Sequence, residues 1–258
     1  MFKPLLATLL LSVAATASAG PVSKYYVSYS SNVIKVVQGN AIVQQWNVAQ
    51  GCEWALNVDG DVRTNPSSIG CGAGAQYTLD GKFTGTTYAE ETNGWNDTDD
   101  STTDGKYNYT VAYSNGQVIR TDRDFKNASV LFTTTTSSLG ITYDETNDSL
   151  WIANFGGSSI RNYSMNGTLL GSFATSQYVN GGLALDHADQ TLWFVDSSGN
   201  IEQYSKTGKY LQTGVNVGYV LGGEFDLATA NVPEPASLAL FGITLAGLAA
   251  ARRKRKAD

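Results

Sequence analysis

The sequence predicts an all-β fold, a five-bladed β-propeller, and three observations carry that prediction. The first is an internal repeat. Residues 181–214 (GGLALDHADQTLWFVDSSGNIEQYSKTGKYLQTG) echo residues 140–173 (GITYDETNDSLWIANFGGSSIRNYSMNGTLLGSF), placing Asp186 on Asp144, Trp193 on Trp151, Ile201 on Ile160, Tyr204 on Tyr163 and Gly208 on Gly167. The offset of about 42 residues is the length of one propeller blade. The second is the content of each unit: four short strand-like runs joined by turn residues. The third links the chain's two ends. Gly222-Gly223-Glu224-Phe225-Asp226-Leu227 resembles Gly181-Gly182-Leu183-Ala184-Leu185-Asp186, the first strand of the clearest repeat.

The strands of that clearest repeat follow from its pattern. Residues 183–185 form an apolar inner strand ending at Asp186. Residues 192–195 make the second strand. Residues 201–204 alternate apolar and polar side chains, as a half-buried strand does, and residues 209–212 make the fourth. The intervening turns carry Asp-Gln, Ser-Ser-Gly-Asn and Lys-Thr-Gly, residues that tolerate tight or left-handed geometry.

From the N-terminus, residues 24–46 supply strands two to four of a blade that lacks a first strand. Residues 222–227 supply the missing one, which closes the ring and removes an exposed sheet edge. The second blade covers residues 51–88, with residues 54–58 as its inner strand. Its Gln76-Tyr77-Thr78-Leu79-Asp80-Gly81 matches Asn162-Tyr163-Ser164-Met165-Asn166-Gly167 and Gln203-Tyr204-Ser205-Lys206-Thr207-Gly208. In all three the tyrosine is expected to pack between sheets and the glycine to turn a hairpin. The third blade, residues 94–132, is the most divergent. Residues 107–113, 117–121 and 129–132 read as its strands, behind an acidic stretch from Asn96 to Asp104. The two clear repeats are the fourth and fifth blades. Five blades over residues 24–229 average about 41 residues each, whereas six would leave about 34, tight for four strands; six blades is the minor alternative.

Both ends of the chain read as targeting segments outside the fold. Residues 1–19 combine Lys3, a short apolar run and a small-residue site, Ala17-Ser18-Ala19 before Gly20, which together form a secretory signal peptide. At the other end stand Val232-Pro233-Glu234-Pro235, then residues 236–251 without a charge, then Arg252, Arg253, Lys254, Arg255 and Lys256. An apolar run of that length is near the lower limit for spanning a bilayer, and the cationic cluster would hold its end in the cytoplasm.

That order of Pro-Glu-Pro, apolar run and basic end in residues 233–258 resembles the PEP-CTERM sorting signal. The resemblance implies an exosortase that recognises the tail near Val232 to Pro235, and a Gram-negative bacterium that makes extracellular polysaccharide. The partners expected are the Sec export machinery, the inner membrane in passing, and the exosortase. The destination expected is the cell envelope, the surface or a biofilm matrix. The repeats themselves resemble secreted NHL-like or WD40-like propellers, a resemblance of architecture alone.

Composition limits the function. Removing both targeting segments leaves residues 20–232, enough for one domain with a substantial core. The full chain has 17 Lys plus Arg and 23 Asp plus Glu; the targeting segments hold six and two of them, so the body keeps 11 against 21, a net charge of −10. Such a body argues against nucleic acid as a partner. Cys52 and Cys71 reach an oxidising compartment and are expected to form a disulfide, worth roughly 3 kcal/mol for a loop of this size.

No residue pattern commits the chain to catalysis. The single histidine, His187, lacks the serine and oxyanion donors of a hydrolase triad, and a loop role is expected. A glycosidase would need only two carboxylates facing the channel, drawn from Asp59, Asp61, Asp144, Asp186, Glu224 and Asp226. The equivalence of Asp144 and Asp186 favours instead a repeated turn-capping role. No cofactor is expected. Asn57, Asp59 and Asp61, with Asp97, Asp99 and Asp104 behind them, are weak calcium candidates, because neither group completes a twelve-residue calcium loop. The function expected is non-enzymatic binding or scaffolding, with extracellular polysaccharide the suggested ligand and an envelope glycosidase the alternative.

Overall fold

The structure is a computed structural model that describes residues 21–29, 32–65, 72–89 and 97–228. The chain forms β1 (Tyr25–Tyr29), β2 (Val33–Gln38), β3 (Ala41–Asn47), β4 (Ala55–Val58), β5 (Val62–Asn65), β6 (Ala73–Tyr77) and β7 (Phe83–Ala89). It continues with β8 (Thr98–Thr103), β9 (Tyr107–Ala112), β10 (Gln117–Asp122), β11 (Ser129–Thr133), β12 (Ser138–Asp144), β13 (Ser149–Asn154), β14 (Ser159–Ser164) and β15 (Leu169–Ala174). The last five are β16 (Val179–Asp186), β17 (Thr191–Asp196), β18 (Asn200–Ser205), β19 (Tyr210–Asn216) and β20 (Val220–Phe225).

These strands make five antiparallel sheets of four. Four sheets are consecutive in sequence; the fifth has the order β20-β1-β2-β3. The last strand therefore supplies the inner edge of the first blade, with Tyr25 opposite Phe225 and Tyr26 opposite Glu224. The ring is complete by Phe225. The five-bladed propeller and its closure agree with the sequence; strand ends differ by a few residues, as in β19, which extends to Asn216.

Burial falls from the axis outward. The inner strand β16 is buried at every residue, because neighbouring blades cover both its faces. The outer strand β15 is exposed at five of its six positions. Apolar residues pack between sheets, as where Trp151, Phe173, Phe194 and Tyr204 join the fourth and fifth blades.

The repeated Tyr and Gly have distinct tasks. Tyr77, Tyr163 and Tyr204 are buried. Gly81, Gly167 and Gly208 all take left-handed φ near +80°, which costs glycine little. Each also lies under a ring from the preceding blade's outer strand: an added Cβ would come within 2.5 Å of Trp46, 2.7 Å of Phe132 and 2.5 Å of Phe173 respectively.

The third blade holds the main difference from the sequence reading. The acidic stretch before residue 107 is not a lead-in: Thr98–Thr103 is the inner strand β8, paired with β9. Its side chains are polar, and those of Asp100, Ser101 and Thr102 bond to neighbouring blades. The targeting segments, with Ala17, Ala19, Gly20, Val232 to Pro235, residues 236–251 and Arg252 to Lys256, lie outside the described residues. So does Cys71; Cys52 is disulfide-bonded. No helix among the described residues is long and apolar enough to cross a membrane.

Candidate functional site

The alternation of strand direction gives the ring two unlike faces. All five inner strands run the same way, so their first residues surround one end of the axis and their last residues the other. The end surrounded by first residues is the mouth. It holds a cavity of about 360 Å³ lined by Asp97, Asp99, Tyr113, Leu139, Phe155, Tyr219 and Leu221.

Each lining residue comes from a defined place. Asp97 precedes β8 and Asp99 lies within it, and both line the cavity. Leu139 and Leu221 occupy the second positions of β12 and β20 and are buried. Tyr113 and Phe155 follow the second strands of consecutive blades, and their rings meet edge to face with centroids 6.1 Å apart. Tyr219 stands just before β20 and is 44% exposed.

Backbone hydrogen bonds hold this arrangement in series. Tyr113 N donates to Asp97 O at 2.9 Å, Ser137 N to Tyr113 O at 2.7 Å, and Phe155 N to Ser137 O at 2.8 Å. Asp97 and Ser137 both hold positive φ, +68° and +59°, a conformation unusual outside glycine and concentrated at functional positions. The cavity walls are thus fixed before any ligand arrives. Burial, and then the charge of Asp97, pushes the Asp99 carboxyl up to about 7. Burial, then Asp99 and Tyr113, raises the Tyr219 hydroxyl.

Inward of the mouth, polar side chains tie the inner strands to one another. Asp100 accepts hydrogen bonds from Gly223 N at 2.9 Å and Ile141 N at 3.1 Å. Thr102 accepts from Tyr143 N and Thr142 from Leu185 N, both at 3.0 Å. Thr142 also reaches Glu224, at 3.1 and 3.2 Å. Burial drives the Asp100 carboxyl well above the usual range and lifts Glu224 to about 7, against the hydrogen bonds of Thr102, Phe225 N and Thr142 and the charge of His187. Small residues let strands approach: a Cβ on Gly222 would lie 2.3 Å from Trp54 O.

The other residues singled out in the sequence gather at the opposite end. Asp144 Oδ1, Asp186 Oδ1 and Asp226 Oδ1 each accept a hydrogen bond from the backbone N–H two residues on, at 3.0–3.1 Å. That is the repeated capping of the turn after an inner strand. Asp144 also binds Trp151 Nε1 and Lys206 Nζ, both at 3.0 Å. His187 is buried, with Nδ1 2.5 Å from Glu145 Oε2.

The calcium candidates find protein partners. Asn57 Nδ2 donates to Ser101 Oγ at 3.0 Å. Arg63 grips both oxygens of Asp61 at 3.0–3.2 Å, and Arg123 lies 3.6 Å from Asp59. Asp97 and Asp99 are at the mouth, whereas Asp104 binds the Tyr109 hydroxyl at 2.7 Å at the far end of β8. No group of three or more metal-ligating side chains occurs among the described residues. Sequence reasoning did not assemble the mouth. One signal was available: an aromatic residue followed by a small or polar turn, Tyr113-Ser114 and Phe155-Gly156, stands at equivalent points of two blades.

The tail decides how this propeller is handled. Residues 231–255 carry the PEP-CTERM protein-sorting motif. The motif marks an exported chain that an exosortase processes through a membrane-held intermediate. No curated protein matches the sequence. Among solved structures, the fold is similar to a chain of a nidogen/laminin complex, at 13% identity over 80% of this chain and 99% of that one, with a TM-score of 0.57. A glutaminyl cyclase from Myxococcus xanthus matches at 14% identity over 73% and 78% of the two chains, TM-score 0.48. A catalytically inactive virginiamycin B lyase from Staphylococcus aureus matches at 15% identity over 76% and 69%, TM-score 0.46. The likeness to the nidogen/laminin chain is one of fold.

Proposed function

We propose that this PEP-CTERM protein is a non-enzymatic binding module of the cell surface or extracellular matrix, and that its mouth binds extracellular polysaccharide. The observation that carries the reading is the mouth cavity itself. Three aromatic rings and two carboxylates converge there on a backbone fixed by hydrogen bonds. Flat rings suit the apolar faces of sugars, and carboxylates accept hydrogen bonds from sugar hydroxyls. The volume is at the lower end of the range for small-molecule pockets, about 300–1,000 Å³, which suits one sugar residue of a chain. Of the acids that glycoside hydrolysis could use, Asp144, Asp186 and Asp226 cap turns and Asp59 and Asp61 face arginines, which supports the binding reading.

The test is co-sedimentation of the body, residues 20–232, with the extracellular polysaccharide of its host. The ring closes without the tail, so this body is the relevant unit. Saturable binding with the polymer left intact is expected, lost in Tyr219→Ala. Release of reducing ends would replace the reading with a glycosidase, and absence of binding would leave the propeller a structural element of the surface.

A further inference from the structure

The chemistry of the mouth narrows its ligand. Resting on the polysaccharide reading, we propose that the mouth is a receptor for a positively charged amino group, and that the sugar it selects is an amino sugar with its amine free.

Three features point there together. Tyr113, Phe155 and Tyr219 surround the cavity with aromatic rings, whose negative faces attract an ammonium group within about 6 Å. Asp97 and Asp99 line the same cavity, so the charge meets two carboxylates as well as the rings. An anionic sugar would meet those same two aspartates and, among the described residues, no lysine, arginine or histidine in the lining. A neutral sugar could hydrogen-bond the Tyr113 and Tyr219 hydroxyls and the carboxylates, but it would leave the charge of the two aspartates unanswered.

The setting strengthens the attraction. Leu139 and Leu221 are 3% and 6% exposed, so the cavity has low-dielectric walls, which concentrate the field of its carboxylates. The body's charge, 11 basic against 21 acidic residues, draws cations from a distance. An ammonium in the cavity also relieves the mutual repulsion of Asp97 and Asp99, which the Asp99 carboxyl already registers. The relay from Asp97 through Tyr113 and Ser137 to Phe155 means that little ordering remains to be done on binding.

The experiment is calorimetric titration of the body with tetramethylammonium, glucosamine, N-acetylglucosamine and glucose at pH 7 and low ionic strength. Saturable binding is expected for tetramethylammonium and glucosamine, with N-acetylglucosamine and glucose at least tenfold weaker. Tyr219→Ala and the pair Asp97→Asn, Asp99→Asn should each weaken glucosamine about tenfold. Because Asp97 has positive φ, asparagine is the tolerated replacement, and an unchanged melting temperature would show the variant folded. Glucose binding as well as glucosamine, or full affinity in the doubly amidated variant, overturns the proposal. Failure of the two readings is separable: polymer that sediments with the body while every ammonium probe fails removes the cation claim alone. Ammonium binding without any polymer retained leaves the cation receptor and removes the polysaccharide.

Discussion

Glu224 shows how one residue can serve the ring and weaken it with the same carboxylate. It sits 2% exposed on the axis, where Thr142 and the Phe225 N–H bind it. Burial nonetheless raises it from 4.5 to about 7. The unfolded carboxyl ionises near 4.5 and the folded one near 7, so the stability Glu224 confers is complete below 4.5 and is lost as pH rises through 7. Asp99 acts with the same sign, its folded value being also about 7. Glu224→Gln keeps the shape and cannot ionise. It should match the wild type at pH 4 and exceed its stability at pH 8 by on the order of 3 kcal/mol. Chemical denaturation at the two pH values checks this; a variant less stable at pH 8 would show that the charged form is the one the axis needs.

At the scale of the element, a hairpin glycine explains why the repeat could be read. Gly208 needs positive φ, +84°, and lies under Phe173 of the preceding blade. Gly208→Ala should cost about 1–3 kcal/mol, part from the backbone and part from the ring. In a double-mutant cycle with Phe173→Ala, the part of the clash made by the ring should vanish, while the backbone cost and the contact with the Phe173 Cβ, 2.5 Å away, remain. Purely additive losses would refute the contact. This coupling of turn and packing ties the glycine to a fixed place after the tyrosine, and the pattern stands out in blades two, four and five. β8 was illegible for the opposite reason. Asp100, Ser101, Thr102 and Thr103 are all buried; the first three find partners in other blades, at Gly223, Ile141, Asn57 and Tyr143, while Thr103 binds Tyr107 O and Arg123 in its own. No period along the strand reports such a partner, and a polar inner strand reads as a loop. The mouth was hidden likewise: its aromatic residues come from separate blades and meet only when the ring closes. Asp144 and Asp186 could be read, because a turn cap binds the backbone two residues on and is therefore local.

At the scale of the whole molecule, the closure of the ring fixes which way the mouth points. β1 runs antiparallel to β20, so the chain enters at the face where β20 ends. Ser23 confirms the placement by binding Asp186, the last residue of β16, at 2.7 Å. Asp226 caps the turn after β20 and also holds Gly60 N at 2.8 Å, again at that face. The described residues thus begin, at Pro21, and end, at Ala228, on the side opposite the mouth. From Ala228 to the start of the apolar run at 236 there are eight residues, a reach of at most about 26–29 Å. An inner strand of six residues adds about 20 Å more between the two faces. While residues 236–251 remain in the membrane, the face with the turns of Asn166 and Thr207 should therefore stand nearer the lipid and the mouth farther away. The full chain, reconstituted in vesicles containing spin-labelled lipid and carrying one fluorophore at a time, reads this out. A probe at Thr207→Cys should be quenched more than one at Ser114→Cys, in the exposed turn after β9 beside the mouth, and polysaccharide should bind the anchored chain as well as the released body. Stronger quenching at the mouth, or binding that begins only after the tail is cut, would mean that the membrane covers the site and that processing by the exosortase exposes it.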